Sequence, residues 1–168
     1  ARDGDTIRLG RGTYDVDMTI HDKSLTIIGV SEKHTIIRNV KRAHSIQGKS
    51  DDSMTVTFEH VTFTQRGRPR TSGLDIDTAD TVFRNCTFRD LSTWNYGTMS
   101  LVKGAAIRME HSDTFIDDCW FESNTVLTSG TVSRHASGGA IEAFESTLTV
   151  EDSGFYDNKV LCTYSEII

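Results

Sequence analysis

The sequence predicts an all-β fold, a parallel β-helix in which each coil contains three short strands. The first observation is a repeat whose matching residues lie 34 positions apart: Ile107 and Ile141, Phe121 and Phe155, and Asn124 and Asn158. A repeat of this length indicates one structural unit stacked on a copy of itself. The second observation is that apolar and polar residues alternate within each copy, which is the period of a β-strand. A one-residue change of phase within each copy indicates a bend between two short strands.

In chain order, the first predicted coil starts at residues 3–9, continues through residues 11–14 and ends at Ile20. The next strands are predicted at residues 24–29, 35–37, 54–58, 61–63, 80–83 and 86–88. In the repeat, small residues at 104–106 and 138–140 permit close stacking, so a further strand is predicted over residues 138–144. The single proline, Pro69, suits a chain dominated by strands.

Aligning the coils predicts ladders of stacked side chains that form the core. The first ladder is a phenylalanine column whose members are spaced 25, 33 and 34 residues apart: Phe63, Phe88, Phe121 and Phe155. Two further columns are predicted beside it: Phe58, Phe83, Ile116 and Val150; and Val61, Cys86, Cys119 and Ser153. Neighbouring members should lie about 4.8 Å apart, the spacing of adjacent strands. Cys86 and Cys119 are therefore expected to be buried free thiols, with a disulfide between coils as the alternative.

Two insertions account for the longer spacings, at residues 89–103 and 122–137. Because stacked coils keep their register, both are expected to leave as loops on the same side, and such loops often form the binding face of a solenoid. The candidate binding residues on this long-loop face are Trp94, Tyr96, Arg134 and His135. Aromatic side chains suit sugar rings or a protein partner. The alternative for Trp94 is that its ring covers the coil beneath it.

Composition and charge exclude several function classes. A length of 168 residues is typical of one domain, and we predict a single β-helix domain over residues 1–168. A formal net charge of −6 does not favour a nucleic-acid partner. No apolar run is long enough to span a membrane. Three cysteines do not make a disulfide framework.

The repeat motifs resemble a known family. The Gly-Gly-Ala-Ile segment, paired with Phe-x-x-Asn at residues 121–124 and 155–158, is similar to the repeats of chlamydial polymorphic outer-membrane proteins. The wider pattern resembles the right-handed β-helix proteins of the pectin-lyase-like superfamily. This resemblance implies a right-handed helix, and it raises the question of catalysis because the superfamily contains many polysaccharide lyases and hydrolases.

Catalysis is the alternative rather than the expectation. The resemblance would bring the signatures of polygalacturonases or pectate lyases, and neither set is complete here. Asp75 and Asp77 lie on one strand with Ile76 between them, so both should point outward, where they could bind a cation or act on a sugar. No arginine or lysine is positioned near them in the sequence to complete such a site.

The expected function is a non-catalytic structural or binding module outside the cell or on its surface. It would display loops to a glycan or protein partner, and a scaffold subunit is a further alternative. No cofactor is expected. A calcium ion held by Asp117, Asp118, Glu151 and Asp152 is the alternative to their being solvated turn residues. Asn124 and Asn158 are expected to satisfy each other's amides as a structural ladder.

Both ends of the predicted helix lack a cap. The third Gly-Ala strand would begin near position 172, beyond the 168 residues of the chain. A bare terminal coil exposes apolar core and unpaired strand edges. The chain is therefore expected to be a segment of a longer β-helix, or to dock onto a partner at its ends, unless the last apolar residues fold over the end as a cap.

Overall fold

The computed structural model describes residues 1–49, 54–67, 71–96, 101–129 and 135–163. These residues form strands and no helix, so the all-β prediction is confirmed. None of the described residues forms a helix long and apolar enough to cross a membrane.

Twenty-two strands follow one another along the described chain. The first eleven are β1 (Thr6–Arg8), β2 (Gly12–Asp15), β3 (Thr19–His21), β4 (Leu25–Ile28), β5 (Thr35–Asn39), β6 (His44–Gln47), β7 (Thr55–Glu59), β8 (Thr62–Gln65), β9 (Leu74–Asp77), β10 (Asp80–Arg84) and β11 (Thr87–Arg89). The others are β12 (Ser92–Tyr96), β13 (Leu101–Lys103), β14 (Ile107–Glu110), β15 (Asp113–Asp117), β16 (Trp120–Glu122), β17 (Thr125–Ser129), β18 (His135–Ser137), β19 (Ile141–Phe144), β20 (Thr147–Glu151), β21 (Gly154–Tyr156) and β22 (Lys159–Thr163).

The strands build five separate parallel sheets. Sheet A has the order β1-β4-β7-β10-β15-β20, sheet B the order β2-β5-β8-β11-β16-β21, and sheet C the order β19-β14-β9-β6-β3. Sheets D (β12-β17-β22) and E (β13-β18) are smaller. The chain visits sheets A, B and C in turn and then returns to sheet A beside its earlier strand. We call each such visit a pass.

The phenylalanine column forms the centre of the core, as predicted. Phe63, Phe88 and Phe121 are fully buried, and each lies in register with the next along sheet B. The stacked rings have centroid distances of 5.1 Å between Phe63 and Phe88, 4.5 Å between Phe88 and Phe121, and 4.7 Å between Phe121 and Phe155. The second predicted column is also in register, from Phe58 through Phe83 and Ile116 to Val150.

The third column holds the two thiols at the bend between sheets A and B. Cys86 and Cys119 are both free and buried, as predicted. The backbone N–H of Cys86 donates a hydrogen bond to Cys119 Sγ at 3.3 Å. Burial raises the pKa of the Cys86 thiol well above its ordinary value. The residue before each member of this column has left-handed backbone, with φ of 58°, 51°, 49° and 44° at His60, Asn85, Asp118 and Asp152. This bend is the physical origin of the phase change in the sequence pattern.

The described residues of the two insertions form strands, which corrects the prediction that the insertions are loops. β12 pairs with β17 over five residues, and β13 pairs with β18. The fourth and fifth passes therefore contain five strands instead of the three predicted for every coil. The inserted strands alternate in burial: Thr93, Val126 and Thr128 are buried while Trp94 and Leu127 are half-buried. The neighbouring pass sets the register of these strands. Pairing therefore extends into segments whose sequence shows little alternation of apolar and polar residues.

Candidate functional site

The long-loop residues are distributed over two sheets. Trp94 is half-buried in β12, in register with Leu127, and Tyr96 lies two residues further along the same strand. His135 begins β18 in sheet E, opposite Leu101. Arg134 lies outside the described residues. The structure thus brings Trp94 and Tyr96 onto one strand and puts His135 on another sheet, and binding at this face stays a prediction.

Asp75 and Asp77 lie on the outer face of sheet C. Ile76 between them is fully buried, so the predicted outward orientation is confirmed. Asp75 is in register with Arg108, whose Nη1 donates to Asp75 Oδ1 at 3.0 Å. Arg108 also donates to Glu110. Although burial opposes it, the neighbouring carboxylates hold the pKa of Arg108 above its ordinary value.

The other charges on this face also pair with one another. His111 Nε2 lies 2.8 Å from Glu145 Oε2, and its Nδ1 lies 3.9 Å from Asp77 Oδ1. Lys103 Nζ contacts Glu142 Oε1 at 3.1 Å. These charges serve to join adjacent passes. The sequence did not reveal the arginine partner of Asp75 because Arg108 is 33 residues away along the chain and one strand away in space.

A cleft of about 600 Å³ opens on the outer face of sheet B. Its lining comes from four adjacent strands of the sheet and from the bend before β5: Glu32, Lys33, Thr62, Thr87, Arg89, Trp120, Glu122 and Tyr156. Neighbouring strands lie about 4.8 Å apart, so the four strands alone span about 14 Å. The cleft therefore crosses the strands and follows the direction in which the passes stack.

Trp120 is the main aromatic surface of the cleft. Its side chain is 56% exposed, and it lies in register with Gly154 on the neighbouring strand. A Cβ atom at position 154 would come within 2.3 Å of Trp120 Cζ3, so the indole ring occupies the space that a side chain there would fill. Tyr156 projects from the same face two residues beyond, 68% exposed. Together they present two aromatic side chains to solvent.

The charged groups of the cleft differ from those of sheet C. Arg89 and Glu122 face each other in register on β11 and β16. Among the described residues, neither forms an ion pair within 4.0 Å, and the same holds for Glu32 and Lys33. Two cations and two carboxylates are thus left to solvent or to a ligand.

Sequence reasoning missed this cleft although a signal was present. Trp120 immediately precedes Phe121, and Tyr156 immediately follows Phe155. Since side chains alternate across a strand, an inward phenylalanine sends both neighbours outward. The alternation that predicts the buried phenylalanine column thus also predicts two aromatic side chains on the outer face of sheet B.

Within the described part of the chain, no group of three or more histidine, cysteine, aspartate or glutamate side chains is arranged to hold a metal ion. In particular, Asp117 lies in register with Glu151 without a third ligand.

Compared with known proteins, the chain matches no family model, no curated protein and no solved structure. The resemblance to pectin-lyase-like proteins and chlamydial repeats therefore rests on the motif residues alone.

Proposed function

We propose that this chain is a non-catalytic binding module that holds a glycan in the cleft on the outer face of sheet B. The observation that carries the proposal is the exposed Trp120 ring seated on Gly154 beside Arg89 and Glu122, which have no ion-pair partners among the described residues. The flat ring suits the apolar face of a sugar. The charged and hydroxyl groups around it donate and accept the hydrogen bonds that sugar hydroxyls require.

A glycan is favoured over an extended peptide by the position of the cleft. It lies on the face of a sheet whose central strands already pair on both sides. A peptide that binds by strand addition needs an unpaired sheet edge for its main-chain hydrogen bonds. A ligand on this face meets outward-facing side chains, and these supply the aromatic and polar contacts that suit a saccharide.

The module is wound as a right-handed parallel β-helix in this proposal. The visits to sheets A, B and C in turn, the parallel pairing of strands from successive passes and the stacked phenylalanine column support this winding. Right-handed winding is also the hand of nearly all crossover connections between parallel strands of one sheet. Display outside the cell or on its surface follows from the binding role and the resemblance of the repeats.

Glycan-array screening of the intact chain, followed by calorimetry on the best saccharide, tests the proposal. Trp120→Ala should weaken binding at least tenfold, which corresponds to about 1.4 kcal/mol. Trp94→Ala is the matched control, because it removes the other tryptophan from the predicted long-loop face. That variant should bind like the wild type.

Each other outcome has a defined meaning. Loss of binding in Trp94→Ala but not in Trp120→Ala would move the site to the long-loop face. Cleavage of the bound saccharide would support a carbohydrate-active enzyme instead. No binding to any saccharide on the array would overturn the proposal.

A further inference from the structure

The cleft on the outer face of sheet B has a wall at one end. The lining begins at the turn of residues 30–34, which connects β4 to β5 in the second pass. From there it continues over the strands of the following passes. The position of this turn decides what part of a ligand the cleft can hold.

Thr62 shows that the turn lies over the outer face of the sheet. It stands in register with Thr87, which in turn pairs with Trp120, in a column that faces outward. Thr62 is nevertheless only 2% exposed. Its Oγ donates a hydrogen bond to the main-chain carbonyl of Glu32 at 2.6 Å. The turn of the second pass thus covers the outward position of the third pass and forms a wall across the cleft.

The wall is held in place by hydrogen bonds and by close packing. The backbone N–H groups of Thr35 and His34 donate to Ser31 O at 2.9 and 3.0 Å. Ser31 Oγ also lies 2.9 Å from His34 Nδ1. Just before the turn, a Cβ atom at Gly29 would come within 2.2 Å of the His60 carbonyl oxygen, so the chain here lies directly against the third pass. The wall is therefore a fixed part of the cleft and not a lid.

Two charged side chains stand at this wall. Glu32 is half-buried and Lys33 is exposed, and neither forms an ion pair with another described residue. An ionised carboxylate only accepts hydrogen bonds. The end of a linear glycan carries a hydroxyl where an internal sugar carries a glycosidic oxygen, and only the hydroxyl has a hydrogen to donate. A carboxylate at the walled end therefore distinguishes the end of a glycan chain from its interior.

We propose that the cleft holds the terminal sugars of a linear glycan, with the chain end against the turn of residues 30–34. This assignment rests on the proposed binding of a glycan in the cleft. The end hydroxyl donates to the Glu32 carboxylate, Trp120 stacks on a sugar further along, and the rest of the chain leaves beyond Trp120. An internal segment would have to continue through the wall, where Thr62 and Glu32 are already in contact.

The number of protein molecules bound to each glycan chain tests this assignment. The probes are size-fractionated chains of the saccharide that binds best on the array, together with xylan and mannan chains of defined length. Calorimetry should give one protein molecule per linear chain at every length, because a linear chain has one end of each kind. A number that rises with chain length would show recognition of internal segments and would overturn the proposal.

Glu32→Ala removes the carboxylate at the wall and keeps the main-chain carbonyl that holds Thr62. This variant should bind the shortest of the binding chains at least tenfold more weakly than the wild type. Glu151→Ala is the matched control, because Glu151 is exposed in sheet A, lines no part of the cleft and also forms no ion pair among the described residues. It should bind like the wild type. Binding by Glu32→Ala as tight as that of the wild type would also overturn the proposal.

These outcomes separate end recognition from glycan binding as such. If Trp120→Ala loses binding while the wild type places several copies on each long chain, the cleft binds glycans but reads their internal segments. End recognition is then wrong and the proposed function stands. If no saccharide on the array binds, the proposed function and end recognition are both wrong.

Discussion

His44 is a buried titratable side chain in the core of the second pass. Its Nδ1 accepts a hydrogen bond from the Met18 backbone N–H at 3.2 Å, and its ring packs near Phe63. Burial lowers the pKa of His44 to about 4, although the nearby Asp17 carboxylate opposes the shift. The imidazole is therefore neutral in the folded protein at neutral pH.

This burial predicts a loss of stability in mild acid. An unfolded histidine titrates near pH 6.5, so between about pH 6.5 and pH 4 the unfolded state binds the proton more tightly. Stability is then fully present above about pH 6.5 and falls by up to about 3 kcal/mol as the pH drops to about 4. His44→Asn keeps an acceptor for Met18 and cannot titrate, so urea unfolding across this range should show a shallower slope.

His60→Asn is the matched control for that measurement. His60 stands at a bend where Asn85 holds the equivalent place in the next pass, and both have left-handed backbone. The variant removes a histidine without touching the core, so the slope should stay as in the wild type. Identical slopes for His44→Asn and the wild type would show that His44 does not carry the effect.

At the residue scale, the sequence was sufficient to predict the environment of residues that recur in the repeat. It was insufficient for residues that have no counterpart in another copy. Phe121 and Asn124 were predicted correctly because each has a counterpart 34 residues on. Arg108 could not be paired with Asp75, because nothing in the sequence states which residues of successive passes face each other. The alternation of side chains along a strand predicts that Trp120 points outward. Its exposure also depends on Gly154 in the next pass, which that alternation does not indicate.

Among the structural elements, the asparagine ladder ties the end of sheet B to the inserted strands. Asn124 Oδ1 accepts from Leu91 N at 3.1 Å, while its Nδ2 donates to Phe88 O at 3.0 Å and to Asn158 Oδ1 at 2.8 Å. Asn124 is fully buried. The Asn124 amide thus provides hydrogen-bond partners for backbone groups that water cannot reach.

Removing this amide should be costly. Asn124→Ala leaves the Leu91 N–H without its acceptor in the interior, at about 1–3 kcal/mol, and removes one hydrogen bond from the Phe88 carbonyl, at about 1 kcal/mol, so the free energy of unfolding should fall by about 2–3 kcal/mol. Asn158→Ala is the control at the equivalent place in the last pass, where the amide is half-buried and water can replace it. Urea denaturation should show a loss of about 1 kcal/mol or less there. Equal losses in the two variants would contradict the role of burial.

The inserted strands show where element prediction from the sequence failed. Residues 92–96 mix polar and aromatic side chains, and residues 125–129 place Val126 and Leu127 side by side, so neither segment shows a clear period and both were predicted as loops. Their pairing over five residues is imposed by the strands that precede them, β11 and β16, which already lie in register. A strand whose register is set by its neighbour needs little alternation of its own.

At the scale of the whole molecule, each pass contacts only the passes before and after it. Stability in such a stack is close to a sum of local and nearest-neighbour contributions. Its ends should therefore open more easily than its middle. The last pass has exposed core positions at Val150 and Phe155, so it is the end where this difference should be largest.

Hydrogen exchange measures this gradient directly. In dilute solution, the amides of β20, β21 and β22 should exchange at least tenfold faster than those of β10 and β15. Phe155→Ala should speed exchange in the last pass and leave β7 and β8 unchanged, because among the described residues its ring stacks only on Phe121. Phe88→Ala, which removes a fully buried ring between Phe63 and Phe121, should lower the stability of the passes it contacts by about 3–5 kcal/mol and speed exchange most in β8, β11 and β16. Uniform protection across all passes, or a Phe155→Ala effect that spreads to β7, would show that the chain unfolds as one cooperative unit.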